Sequence, residues 1–253
     1  MKEAIISTLR EIEQKENVHI LLAVESGSRA WGFASPDSDY DVRFIYVRPR
    51  DFYLRLDKTR DVIELPIDEV LDINGWDIKK ALGLLHSSNP TLFEWLASPV
   101  MYWKTAVYDQ LNALAPLYFS PKRGLYHYLS MAENNYRTYL KGEQVRAKKY
   151  FYVLRPLLAC RWILDYGTPP PIRFSDLMEN ELPEPLVPCV QRLLELKKDI
   201  PEIGEIRRVA ELNAYFDECI PEIREQAQTA PEGREGDWDR LNTFFLTLLE
   251  QSF

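Results

Sequence analysis

Apolar residues at Ile5, Ile6, Leu9 and Ile12 recur at helical spacing, which predicts an amphipathic helix over the first fifteen positions. The pattern then changes period. "VHILLAV" (18–24) is a continuous apolar run, "DYDVRFIYV" (39–47) alternates, and "DVIELPI" (61–67) and "VLDIN" (70–74) are short and partly β-branched. Together they predict one sheet. From residue 77 the helical period returns in "DIKKALGLLH", "TLFEWLAS" and "AVYDQLNALAPLYF". It continues through "LYHYLSMAENNYRTYLKG", "AKKYFYVLRPLLACRWILDYG", "VPCVQRLLELKKD", "IGEIRRVAELNAYFDECI" and "WDRLNTFFLTLLEQ".

The expected organisation is α+β. A small mixed-sheet domain with flanking helices covers 1–117, and an α-helical bundle domain covers 124–253, with the boundary at "YFSPKRG" (118–124). "GTPPPIRFSDLMENELPEPLVP" (167–188) reads as a proline-rich connection between bundle helices.

Composition narrows the functional classes. With 46% hydrophobic residues among 253, the chain has ample material for a core. No apolar run approaches the roughly 20 residues that a membrane helix needs, and "MKEAIISTLREIEQ" lacks the apolar centre of a signal peptide. A cytoplasmic protein with no membrane partner is expected. Cys160, Cys189 and Cys219 are widely spaced and odd in number, so they read as buried thiols. A net charge of −8 disfavours a protein that coats long nucleic acid, because that affinity rests on many phosphate contacts. A small anion or a single nucleic-acid end stays compatible.

The candidate chemistry is concentrated in "ESGSRAWGFASPDSDYDV" (25–42). A strand that runs into Gly27-Ser28 and a helix start points N–H groups and a hydroxyl at an anion. Asp39 and Asp41 flank Tyr40, and the strand period of two puts both carboxylates on one face with Cα atoms about 7 Å apart. Carboxylates so placed call for a cation, and a hard divalent ion such as Mg²⁺ takes one or two of them plus substrate phosphates. Asp37, Asp39 and Asp41 also open like an EF-hand loop, but Val42 stands where Gly is required and Arg48 where Glu is required. A nucleotide-binding P-loop fails as well, since "ESGSRAWG" has no Gly-Lys-Ser/Thr.

At these residues the sequence resembles the DNA polymerase β-like nucleotidyltransferase superfamily, in which a Gly-Ser turn is followed by Asp-x-Asp on the next strand and by a third carboxylate on a later one. With Arg-Ala after Gly-Ser and "DINGWDIKKALGLLHSSNPTLFEWLASPVMY" downstream, it is similar to the predicted nucleotidyltransferases of the YcgL type, grouped with RNA-repair-associated proteins. The specific motifs cover roughly residues 18–103, and "KKYFYVLRPLLACRWI" continues the likeness.

The resemblance implies a nucleotidyltransferase domain and in-line displacement at the α-phosphorus of a nucleoside triphosphate, with two Mg²⁺ ions, or Mn²⁺ in their place, about 3.5–4 Å apart. Asp39 and Asp41 would bridge the metals. Asp72 in "VLDIN", just before a Gly75-Trp76 turn, is the first choice for the third carboxylate; Asp77, at a helix start where an N-cap is equally natural, is the second, and Glu64 the third. Gly27, Ser28 and Arg29 would meet the phosphates. Arg43, on the face of the two aspartates, either contacts phosphate or balances their charge.

The helical half carries a local positive excess: Lys141, Arg146, Lys148, Lys149, Arg155 and Arg161 against Glu143. Lys148, Tyr152 and Arg155 share a helix face, with Lys149 about 100° away. Two readings stand: a solvated face paired with the acidic C-terminal helices, or a second wall for nucleotide in which Lys148, Lys149 and Arg155 meet phosphate and Tyr152 stacks on the base. His86 and His127 have no partner at metal-ligand spacing and read as structural.

Three functions follow: transfer of a nucleotide to an RNA end or small molecule, modification of a protein with a nucleotide (AMPylation) as in some antitoxins, and nucleotide binding without turnover. Three metal carboxylates weigh against the last. The sequence leaves acceptor and base open.

Overall fold

The computed structural model describes residues 1–35, 38–66, 70–199, 205–233 and 236–251. Asp37 and Ile67 therefore lie outside the described residues. In chain order the elements are α1 (Lys2–Glu16), β1 (His19–Glu25), α2 (Gly27–Trp31), β2 (Tyr40–Val47), α3 (Arg50–Tyr53), β3 (Val62–Glu64), β4 (Leu71–Asp77), α4 (Ile78–His86), α5 (Pro90–Leu96), β5 (Met101–Lys104) and α6 (Ala106–Leu114). They continue with α7 (Pro121–Tyr139), β6 (Gln144–Arg146), α8 (Lys148–Tyr166), α9 (Phe174–Glu181), α10 (Val187–Asp199), β7 (Glu205–Arg207), α11 (Ala210–Thr229) and α12 (Trp238–Gln251).

The chain divides into two compact units: Met1–Ala30 with Asp39–Tyr118 and Arg234–Phe253, and Trp31–Ser38 with Phe119–Gly233. The sequence reading placed the whole C-terminal segment in the bundle domain. Instead α12 belongs to the first unit, for reasons the contacts give. The Trp238 ring stacks on His86 at 3.8 Å, Phe245 meets Tyr53 edge-on at 5.1 Å, and the Tyr118 hydroxyl donates to the Asp237 carbonyl at 2.7 Å.

In the first unit the sheet order is β3-β4-β2-β1-β5. β1 runs antiparallel to β2 and β5, β3 antiparallel to β4, and β2 parallel to β4. The apolar stripe of α1, Ile5, Leu9 and Ile12, packs with Val42, Phe44, Tyr46, Ile63 and Ile73 of the sheet. Each such side chain, fully buried, contributes about 1.5–3 kcal/mol. The expected Gly75-Trp76 turn is strand: β4 continues to Asp77, and Gly75 is needed because a Cβ there would lie 2.2 Å from the Phe44 ring. β5, "MYWK", is a strand that the sequence pattern did not single out, and it gains its conformation from pairing with β1.

In the second unit α7, α8 and α11 surround buried Tyr136, Tyr150 and Phe216. Asn213, also buried, accepts from the Tyr150 hydroxyl at 2.9 Å and donates to the Leu140 carbonyl at 2.9 Å, so the polar group is satisfied. Two sequence expectations change here. Residues 205–207 pair with β6 as a strand where the apolar period predicts helix, so α11 starts only at Ala210; and the proline-rich connection contains α9, whose Phe174 packs on Phe33 and Phe151. The three cysteines are buried free thiols.

Candidate active site

β1 ends at Glu25, and the chain leaves the sheet through Gly27, whose φ of 61° lies in the left-handed region. A Cβ on Gly27 would lie 2.1 Å from the Asp41 Oδ2 atom, so glycine serves both the turn and the close approach of that carboxylate. Ser26 N–H donates to the Asp41 carbonyl at 2.8 Å. Ser28 and Arg29 follow in α2. Arg29 Nε donates to the Asp39 carbonyl at 3.1 Å, and its guanidinium lies 3.7 Å from the centre of the Tyr40 ring. Asp39 itself stands one residue before β2.

The parallel pairing of β2 with β4 sets Asp41 opposite Asp72 and Arg43 opposite Asn74. Arg43 bridges the two aspartates: Nη2 donates to Asp41 Oδ1 at 3.1 Å and to Asp72 Oδ2 at 2.6 Å, and Nη1 to the Asp72 carbonyl at 2.8 Å. Of the two roles open to Arg43, charge balance is the one these contacts perform. Burial pushes the Asp41 carboxyl above its ordinary range; Arg43 opposes this, and the charges of Asp72 and Asp39 add to it.

The other two acidic candidates lie elsewhere. Asp77 is five residues along β4 from Asp72, about 16 Å at the rise of a strand. Its carboxylate caps α4, accepting from Lys79 N–H at 2.8 Å, and also accepts from the Tyr53 hydroxyl at 2.9 Å. Glu64 pairs with Arg60 and accepts from Asn74 Nδ2 at 3.2 Å. The tertiary structure thus brings Asp72, not Asp77 or Glu64, beside Asp41.

A carboxylate outside the sequence-based set completes this end of the sheet. Glu25 is 1% exposed; its Oε1 accepts from Asp41 N–H at 2.8 Å and its Oε2 from the Tyr102 hydroxyl. The signal in the sequence was an acid closing an apolar strand, "VHILLAVE".

Mg²⁺ takes hard oxygen donors, commonly one or two carboxylates completed by substrate phosphates. Asp41 and Asp72, 30% and 31% exposed, fit that chemistry, with Asp39 close enough for its charge to act on Asp41. Among the described residues no three His, Cys, Asp or Glu side chains are already grouped to hold a metal, and Arg43 lies between the pair.

In the second unit, Lys148, Lys149 and Tyr152 are half-buried near the start of α8, whereas Arg155 is buried. Burial of Arg155 corrects the idea of a uniformly solvated face. Its guanidinium lies 4.6 Å from the Trp31 ring, and Lys149 Nζ lies 3.8 Å from the Tyr139 ring and 4.9 Å from that of Tyr152. Trp31, Phe151, Tyr152 and Arg155 line a pocket of about 220 Å³. Lys141 pairs with Asp217 of α11 at 3.3 Å, as the solvated-face reading expects of it. His86 is stacked on Trp238 and His127 meets Tyr128 edge-on.

A Gly-Ser turn pressed against an aspartate, with a second aspartate beside it on a later strand, agrees with the resemblance stated from the sequence. The chain belongs to RlaP, the RNA repair pathway DNA polymerase beta family, whose model matches residues 1–247. It is 44% identical over 253 residues to the uncharacterized protein YcgL of Bacillus subtilis (strain 168), covering 99% of this chain and 97% of that relative. It also aligns with the crystal structure of a nucleotidyltransferase-like protein from Exiguobacterium sibiricum 255-15, at 12% identity and a TM-score of 0.32, covering 89% of this chain and 75% of the other. No helix among the described residues is long and apolar enough to cross a membrane.

Proposed function

We propose that this chain is a Mg²⁺-dependent nucleotidyltransferase that moves a nucleoside monophosphate from a nucleoside triphosphate to a hydroxyl acceptor, an RNA end or a small molecule, with release of pyrophosphate. The observation that carries the reading is the register of Asp41 against Asp72, with Gly27 in contact with the Asp41 side chain.

In this reading Asp39, Asp41 and Asp72 would hold the ions, and Mg²⁺ bound there would supply charge neutralisation and a more acidic acceptor hydroxyl. Asp72 accepts the proton of the acceptor hydroxyl as its oxygen bonds to the α-phosphorus and the bond to pyrophosphate breaks. Ser28 and Arg29 neutralise the outer phosphates. Arg43, donating to both strand aspartates, holds them next to each other and offsets part of their charge. Within the second unit, the pocket lined by Trp31, Tyr152 and Arg155, with Lys148 and Lys149 on the same helix, is by itself a candidate seat for an aromatic base and an anion.

Incubation of the chain with each labelled nucleoside triphosphate and Mg²⁺, with RNA, metabolite and protein fractions offered separately, tests this. Label is expected in the RNA or metabolite fraction, and Asp39→Ala or Asp41→Ala should lower the rate about 10²-fold or more, since metal charge stabilisation is worth several kcal/mol. Label in protein instead would move the reading to AMPylation, and binding without transfer to a regulator.

A further inference from the structure

The last rungs between β1 and β2 contain an irregularity that points to a role for Glu25. In an antiparallel ladder, a hydrogen-bonded pair exchanges two backbone bonds. Ser26 N–H donates to the Asp41 carbonyl at 2.8 Å, yet the reciprocal Asp41 N–H donates to the side chain of Glu25 at 2.8 Å. β1 departs through Gly27 at this point, and the Glu25 carboxylate supplies the acceptor that the departing backbone does not. Glu25 is itself held on several sides: its N–H donates to the Val100 carbonyl at 2.9 Å, its carbonyl accepts from the Ser98 hydroxyl at 2.6 Å, and its other carboxylate oxygen accepts from the Tyr102 hydroxyl. Buried and fixed by β5 and the residues before it, Glu25 transmits that rigidity to the backbone of Asp41. The side chain of Asp41 is then confined between Gly27 on one side and Arg43 on the other.

We infer that Glu25, locked by Tyr102, is a positioning residue that holds Asp41 in metal-binding geometry through the Asp41 backbone amide. Its reach is what matters: one oxygen must meet Asp41 N–H while the other meets Tyr102. The inference rests on the metal role proposed above for Asp41.

Reach and charge are separable by substitution. Glu25→Gln keeps an oxygen for Asp41 N–H and turns an amide toward Tyr102, whose hydroxyl also accepts; Glu25→Asp keeps the charge but is one methylene short. The test is Mn²⁺ affinity of the full chain, read by electron paramagnetic resonance of free ion, with thermal unfolding measured alongside. Loss of such a supporting contact typically weakens metal binding about 10–100-fold, so Glu25→Ala and Glu25→Asp should lose at least tenfold in affinity while remaining folded. Glu25→Gln should stay within about threefold of the parent on the same scale. Parental affinity in Glu25→Ala and Glu25→Asp overturns the inference, and so does a Gln variant as weak as Ala, which would make charge the operative property. If those variants do not fold, Tyr102→Phe on half-exposed β5 replaces them: a loss of about threefold or more supports the role, and unchanged affinity overturns it. Asp41→Ala is the control. If Mn²⁺ binds it as tightly as the parent, the metal reading itself falls; if it does not bind while Glu25→Ala does, only the role of Glu25 falls.

Discussion

Asp72 on β4 stands directly across from Asp41 on β2 in a parallel pair, and one guanidinium, that of Arg43, holds both carboxylates at 2.6 and 3.1 Å. Two strands that are not neighbours in sequence thereby put two acidic groups at one end of the sheet, beside the glycine turn. Asp77, on the same strand, is committed to capping α4.

From this separation, Asp72→Asn is expected to abolish nucleotide transfer and to leave triphosphate binding measurable through Ser28 and Arg29. Asp77→Asn should retain most activity and cost no more than about 1 kcal/mol of stability, because asparagine caps a helix about as well as aspartate. Transfer assays and thermal unfolding of both variants check the assignment; an inactive Asp77→Asn with an active Asp72→Asn would reverse it.

Gly27→Ala should be disproportionately harmful. A left-handed non-glycine residue costs about 1–2 kcal/mol, and the new Cβ would meet the Asp41 carboxylate at 2.1 Å. Denaturant unfolding should record a loss of that order, with Mn²⁺ affinity falling further than stability does. A variant with parental metal affinity would count against the close packing of Gly27 on Asp41.

The basic residues of α8 should separate into two kinds. Lys148→Ala and Lys149→Ala should weaken nucleotide binding in low salt, with the difference shrinking in high salt as screening grows. Arg155→Ala removes a buried guanidinium from the face of Trp31 and should lower stability by about 2 kcal/mol for the lost cation–π contact, whatever it does to nucleotide. Equilibrium binding at two ionic strengths and thermal unfolding distinguish the two, and unchanged nucleotide affinity in both lysine variants would leave α8 as scaffold.

A pH effect is expected at Glu181, well buried in the second unit. Burial raises its carboxyl above the ordinary value, and the nearby Asp165 charge adds to this while Arg161 opposes it. A carboxyl raised in the folded state favours folding at low pH, and that contribution is lost as pH rises through its folded value. Glu181→Gln should therefore unfold at a higher temperature than the parent at neutral pH, with the two converging below the ordinary carboxylate range near 4.5. Melting curves across pH 3 to 8 measure it, and a difference that does not depend on pH would refute the cause given.

Much of the candidate site was legible in the chain because its signals are local. The apolar run 18–24, the turn at Gly27 and the alternation around Asp41 each depend on residues within a few positions of one another, and a strand period of two fixes which side chains share a face. The placement of Asp77 at the start of α4 was readable for the same reason, since a cap is made with the next two residues. The period, however, names a face and not a partner. That Asp72 is the acid beside Asp41 follows from the parallel register of β2 with β4, which is set by long-range packing around Phe44 and Gly75. Glu25 looked like the last residue of a buried strand until the departure of β1 left the Asp41 amide in need of an acceptor. Likewise α12 carries an apolar face that suits any bundle, and only its contacts with His86 and Tyr53 assign it to the first unit. The sequence by itself determined most of the elements and the motif; the pairing of distant strands and helices, which minimises exposed apolar surface and unmet backbone groups together, decided the rest, including which acids meet.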